Sequence, residues 1–462
     1  MLKNIRQTLA TIPPARRRDI AFFIVIGFVL VASIVRIRLY GDPHLSIAGN
    51  DTQTYVDASR VPLLSSEIMT GRRLLTTNLV YKFFEPEGGY QILVNGSLET
   101  TRRAFQPGFD GLVIFQLILS IVGWGALALM VASYLNHPLM KIMSAVLVIL
   151  FAFTPQMADW DSILMSESLT FSLFALQLAL LIRITFALYN DPDAKFIPWF
   201  IVWAIVFFFW TFLRDTNLVA SVITVFMIAG VLISLRYRRN KSLYGAIVFL
   251  AAVVILGMVT AGSSVRSIVQ LRNLYKDDIF VHESRVAIFQ EMGMPANDLY
   301  DPEFEPWLAE HGAKAVFRFM LAYPGYPLEK LVNDFPSGFE EIKQTYFRAP
   351  EMGDLRQPLM DIGDTLHPES TTPFLLSAIL LIGLLTLAMK NTSTSRPWAW
   401  LALWLFLTAT FTLIPTILGD TWALNRHALF SSMIYRLFMW IFAIIVIDIA
   451  LDEDNRNPAV TQ

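Results

Sequence analysis

Long apolar runs and short polar turns alternate along this chain. Ten runs read as spanning helices, at roughly 20–39, 110–134, 140–154, 164–188, 197–213, 217–235, 243–261, 372–389, 398–415 and 427–450. A helix crossing a bilayer needs about 20 predominantly apolar residues. The third run is short, which a tilt, an extension past Pro155 or a local thinning of the bilayer accommodates. The fifth ends at Arg214 and the sixth begins almost at once, so the two form a tight hairpin. Two long segments interrupt the series. In the first, 41–109, Leu64, Ile68, Leu75, Leu79 and Phe83 recur at helical spacings with Arg72, Arg73 and Lys82 between them. That pattern predicts an amphipathic helix on the membrane surface. The second, 262–371, is rich in Pro, Asp and Glu, with helical stretches near 284–292 and 314–322; it reads as a small external soluble cap. The expected fold is therefore an all-α polytopic membrane protein in three parts. These are an N-terminal transmembrane module (1–261), the cap (262–371) and C-terminal transmembrane helices (372–462).

Composition agrees. Of 462 residues, 55% are hydrophobic and 16% charged, against about 25% charged in soluble domains. The net charge of −2 argues against a nucleic-acid partner. No cysteine is present, which rules out disulfides, thiolate metal sites and cysteine nucleophiles. The N-terminus is basic, but the apolar run from Ile20 to Tyr40 is too long for a signal-peptide core and no small-x-small cleavage pattern follows; it reads as a retained first helix. Short loops on one side carry 14 Lys and Arg, and those on the other side only Arg214 and Arg426. Basic loops stay cytoplasmic. Both termini are thus expected in the cytoplasm of a plasma (inner) membrane protein, with the long segments periplasmic or extracellular.

Five charged residues fall at the outer ends of apolar runs: Asp51, Asp161, Glu167, Arg214 and Arg426. Asp51 reads as a general base or a metal-associated carboxylate; the plainer reading is a helix N-cap. Glu167 starts an apolar helix, where its charge suits the helix dipole. Asp159 and Asp161 precede it, and acids at the lip of a span are costly unless solvated or paired. Arg214 is suited to bidentate phosphate binding; its plainer role is an ion pair with Asp215. Arg426 and His427 enter the last run from the outer side, where interfacial snorkelling would also explain them. The histidines show no paired metal-ligand spacing. No Gly-x-Ser-x-Gly motif and no phosphate-cradling Gly-rich loop occurs.

In order, these features resemble the GT-C superfamily of membrane glycosyltransferases, which includes protein O-mannosyltransferases, lipid A aminoarabinose transferases and oligosaccharyltransferases. The matching parts are Asn50-Asp51-Thr52-Gln53-Thr54-Tyr55, the surface helix after it, Ser166-Glu167-Ser168-Leu169, and Leu213-Arg214-Asp215. Arg426 is similar to the basic residue such proteins carry near their final spans. The resemblance covers the first 220 residues or so. The paired Asp-Glu of the mannosyltransferases is missing from the first loop, which leaves sugar and acceptor open. The resemblance implies a polyprenyl-phosphate-linked sugar as co-substrate, with a glycan, lipid or protein as acceptor. It also implies Asp51 and Glu167 as catalytic carboxylates and Asp161 as an acceptor- or metal-orienting group. Arg214, Arg426 and His427 would hold the donor phosphate. Some relatives use a divalent ion, so Mg2+ or Mn2+ on Asp51, Asp161 and Glu167 is open.

Two other functions compete. A transporter or lipid flippase would show inverted repeats, broken helices and ionisable groups near the midplane, whereas these spans are nearly free of charge. A non-catalytic scaffold would bind a partner through the cap.

Overall fold

A computed structural model describes residues 13–38, 45–49, 51–93, 106–191, 196–264, 266–295, 297–340, 355–390, 394–421 and 423–456. Tyr40 and Asn50, named above, lie outside them, as do some of the 14 basic residues counted in the short loops.

The described residues are helical, with one isolated bridge between Ile47 and Ile163. Helix α1 (Pro14–Arg38) is followed by α2 (Thr52–Ser59) and α3 (Leu75–Phe83) in the first long segment. Then come α4 (Asp110–Tyr134), α5 (Pro138–Phe153), α6 (Glu167–Asn190), α7 (Ile197–Thr211), α8 (Asp215–Val231) and α9 (Lys241–Gly262). The second long segment contains α10 (Arg266–Leu274), α11 (Glu283–Glu291), α12 (Ala313–Ala322), α13 (Gly325–Asp334) and α14 (Arg356–Leu366). Helices α15 (Thr372–Met389), α16 (Ser395–Gly419) and α17 (Leu429–Arg456) complete the chain.

Among the described residues, seven helices are long and apolar enough to cross a membrane: α1, α4, α6, α9, α15, α16 and α17. The other three expected spans are α5, α7 and α8. Helices α7 and α8 are shorter apolar helices, and α5 joins a second piece (Pro155–Ser162) across a 52° bend. Pro155 causes that break. The residue before a proline is pushed out of the α region, and Thr154 is indeed extended, with ψ 153°. Local signals set other boundaries. Pro138 opens α5 and the ring of His137 accepts from Leu139 N; the Asn240 side chain caps α9 through Leu243 N.

The membrane helices share one large apolar core. Helices α4 and α6 approach closely, and a Cβ on Gly123 would lie 2.4 Å from the Ser172 carbonyl oxygen. Small residues let helix backbones approach this closely. A second core forms within the other long segment, from Leu274, Tyr275, Phe289, Phe304, Leu308 and Phe319 among others. The expected single amphipathic helix after Leu64 is broken instead. A short turn (Glu67–Thr70) and α3 flank Gly71–Leu74, and the Asn78 amide donates to the carbonyls of Ile68 and Arg73 to hold that break.

Candidate active site

The segment after α1 is stitched to the segment before α6. Ile47 N donates to Ser162 O at 2.8 Å, and Leu164 N donates back to Ile47 O at 2.9 Å. Thr52 Oγ1 donates to Leu164 O, and Tyr55 OH to Ser166 Oγ. These bonds set the start of α2 beside the start of α6. Helix α3 is tied to the end of α7 in the same way, through Thr76 N to Phe212 O and Thr76 Oγ1 to Phe209 O. The ends of α6, α7, α8 and α16 and the turn before α17 thus meet around a polar cavity of about 280 Å³. Asp51, Tyr55, Arg72, Arg73, Arg214, Arg266, Asp420, Arg426 and His427 are among its lining residues.

Asp51 stands at the N-cap of α2, yet its side chain makes no capping hydrogen bond. Its carboxylate instead accepts from Arg426 Nη2 at 3.0 Å, and its other oxygen lies 3.6 Å from Arg73 Nη2. Arg426 spans two acids, because its Nε also donates to Glu167 Oε1 at 2.9 Å. Arg214 Nη1 approaches that same Glu167 oxygen at 3.5 Å. Asp215 is not the partner of Arg214; it is paired with Arg266 at 3.2 Å. Arg73 is fixed by Thr54 Oγ1 and by stacking on Tyr55, 3.8 Å from the ring centroid.

Burial separates the two carboxylates. Glu167 is fully buried, whereas the Asp51 side chain is 38% exposed. Glu167 Oε2 and Arg214 Nη1 have no hydrogen-bond partner among the described residues. Burial acts to lower the pKa of Arg426, but the charges of Glu167 and Asp51 outweigh it and hold the guanidinium above its ordinary value. Arg426 is therefore a permanent cation turned inward, not a snorkelling one. His427 lines the cavity with Nδ1 against the Asp420 carboxylate.

Asp161 departs from expectation. It does not line the cavity; it lies buried behind it, 3.5 Å from Arg36 at the end of α1, and accepts from Ser168 Oγ at 2.6 Å. Asp159 forms a bidentate pair with Arg356 of α14. These acids join the break after α5 to neighbouring helices. The trio Asp51, Asp161 and Glu167 is not assembled as a ligand set: among the described residues, no group of three or more His, Asp or Glu is arranged to hold a metal. Asp51 and Glu167 face a shared arginine instead, so these three residues do not fit the divalent-ion site left open above.

Sequence reading placed Arg72 and Arg73 on the amphipathic segment and not at the site, and it did not single out Arg266. All three lie in the long segments, where charge says little about orientation. The adjacent pair Arg72-Arg73 beside Gly71 was the available signal for two of them.

No family model matches the chain, and no curated protein matches it. Among solved structures, the chain is similar to the archaeal oligosaccharyltransferase AglB from Archaeoglobus fulgidus, in complex with an inhibitory peptide and a dolichol-phosphate. The identity is 12% and the TM-score 0.42, over 96% of this chain and 52% of that one. The chain thus spans about half the length of that protein. This likeness is too loose to carry an activity.

Proposed function

We propose that this protein is a membrane glycosyltransferase. It moves a sugar from a polyprenyl-phosphate-linked donor to an acceptor glycan, lipid or protein at the outer face of the membrane. One observation carries the reading. Asp51, Arg214 and Arg426 line one polar cavity, and Glu167, buried behind its wall, pairs with both Arg214 and Arg426.

The chemistry follows from that arrangement. The lipid tail stays among the apolar helices and the phosphate reaches the arginines. Phosphate oxygens compete with the two carboxylates for the same guanidinium donors, since arginine binds either anion bidentately. Donor binding therefore frees Asp51, the more exposed acid, from Arg426. The acceptor hydroxyl oxygen attacks the anomeric carbon, and its proton passes to the Asp51 carboxylate. The bond from the anomeric carbon to the phosphate oxygen breaks, and the phosphate departs with the electron pair. Arg214 and Arg426 offset the charge that grows on it. His427, held by Asp420, adds a wall contact. Glu167 is a positioning residue: buried and facing two guanidinium groups, it sets where the phosphate must sit.

The test compares lipid-linked sugars and envelope glycans in cells lacking the protein, cells carrying it, and cells carrying Asp51→Asn. The expected result is accumulation of one polyprenyl-linked sugar in the first and third, with the same sugar missing from an envelope glycan. Identical profiles in all three would remove the transferase reading.

A further inference from the structure

A second cavity, of about 330 Å³, lies at the opposite ends of the same helices. It is bounded by the end of α6, the start of α7, the end of α8, and the starts of α9 and α16. Its walls are apolar and aromatic, with Leu188, Phe200, Trp203 and Trp400 among them. Two cations, Arg236 and Arg396, stand in its lining. Arg236 donates to Tyr189 O and sits 5.4 and 5.7 Å from the ring centroids of Tyr189 and Tyr237. Arg396 Nε donates to Ala388 O at 3.3 Å. Each guanidinium is thus tethered at the polar edge of an apolar chamber, and each carries more N–H donors than one carbonyl satisfies.

Its apolar walls favour an apolar occupant, and its two guanidinium groups favour an anion. An amphiphile with an anionic head satisfies both parts. Arg238, Arg239 and Lys241 follow Arg236 in the same loop, and basic pockets between membrane helices on a positively charged side bind anionic lipid head groups.

We propose that this cavity binds an anionic phospholipid of the adjacent leaflet. Its phosphodiester lies between Arg236 and Arg396, and one acyl chain lies against Trp203 and Trp400. This site is independent of the transferase reading, because it shares no lining residue with the first cavity.

The test uses the full chain in detergent and phosphatidylglycerol with brominated acyl chains, with brominated phosphatidylcholine as comparison. Phosphatidylglycerol should quench tryptophan fluorescence at lower concentration, and Trp400→Phe should remove part of that quenching. Binding should weaken about fivefold for each arginine removed, so about 25-fold for the double variant Arg236→Gln with Arg396→Gln. Equal quenching by the two lipids in the unaltered protein would overturn the proposal, as would an unchanged response in a folded double variant. Displacement by millimolar inorganic phosphate would indicate a free-anion site and would also overturn it.

Discussion

Asp51→Asn separates a structural role from a chemical one. The substitution keeps the shape of the side chain and removes its charge. No cap is lost, since the Asp51 carboxylate makes no capping bond. What disappears is the attraction to Arg426 at 3.0 Å and to Arg73 at 3.6 Å. The aspartate is 38% exposed, and ion pairs of that kind contribute at most about 1 kcal/mol. The variant should therefore melt within a few degrees of the parent. Turnover should respond far more: losing a general base slows proton transfer by roughly 10²–10⁴-fold, equivalent to about 3–5 kcal/mol of barrier. The assay is turnover of the purified, folded variant with the lipid-linked donor that accumulates in deletion cells, run beside a thermal melt. Turnover near that of the parent would refute the reasoning and reduce Asp51 to an orienting partner of Arg426.

Glu167→Gln should behave in the opposite way, losing about 3–5 kcal/mol of stability because two partly buried guanidinium groups lose their counter-charge; an unchanged denaturation midpoint would contradict this. His367, buried against Phe151 O, has its pKa lowered to about 3 by burial, with Arg436 adding to the effect. The unfolded chain takes up that proton near pH 6.5. The stabilisation is thus complete above that pH and falls by up to about 1.4 kcal/mol per unit as the pH drops toward 3; His367→Gln should flatten the slope of a melting series. Gly123→Ala places a methyl group 2.4 Å from the Ser172 carbonyl oxygen and should cost about 1–3 kcal/mol by separating α4 from α6; an unaltered melt would show that these helices yield freely. In this cysteine-free chain, cysteines placed at Ser65 and Ser337 should react with an impermeant thiol reagent in intact cells, and one at Asn240 should not. Labelling at Asn240 would reverse the orientation.

Much of the architecture was legible in the chain itself. Apolar run length is a local property, and it marks the helices and the α7–α8 hairpin; the bend at Pro155 was read only as a short span that could extend past that residue. The two helical stretches expected in the second long segment, near 284–292 and 314–322, coincide with α11 and α12. Counting spans also put Asp51, Glu167, Arg214 and Arg426 at one end of the bundle, because alternate helix ends share a side whatever the packing. The amphipathic stretch after Leu64 misled in one respect. Its spacing is helical across Gly71–Leu74, but the tertiary bonds of Arg73 and Asn78 favour a break there.

Partnership was not legible. Asp51 and Arg426 lie 375 residues apart, and Glu167 and Arg426 lie 259 apart; helical periodicity carries no information at those separations. Asp161 and Glu167 are carboxylates only six positions apart, on consecutive elements. The end of α1 brings Arg36 to Asp161, while the turn before α17 brings Arg426 to Glu167. The residue types set which groups must find a counter-charge once buried. Only the packing of distant helix ends decides which cation arrives, and so which buried acid is tied to the cavity's arginines and which to Arg36.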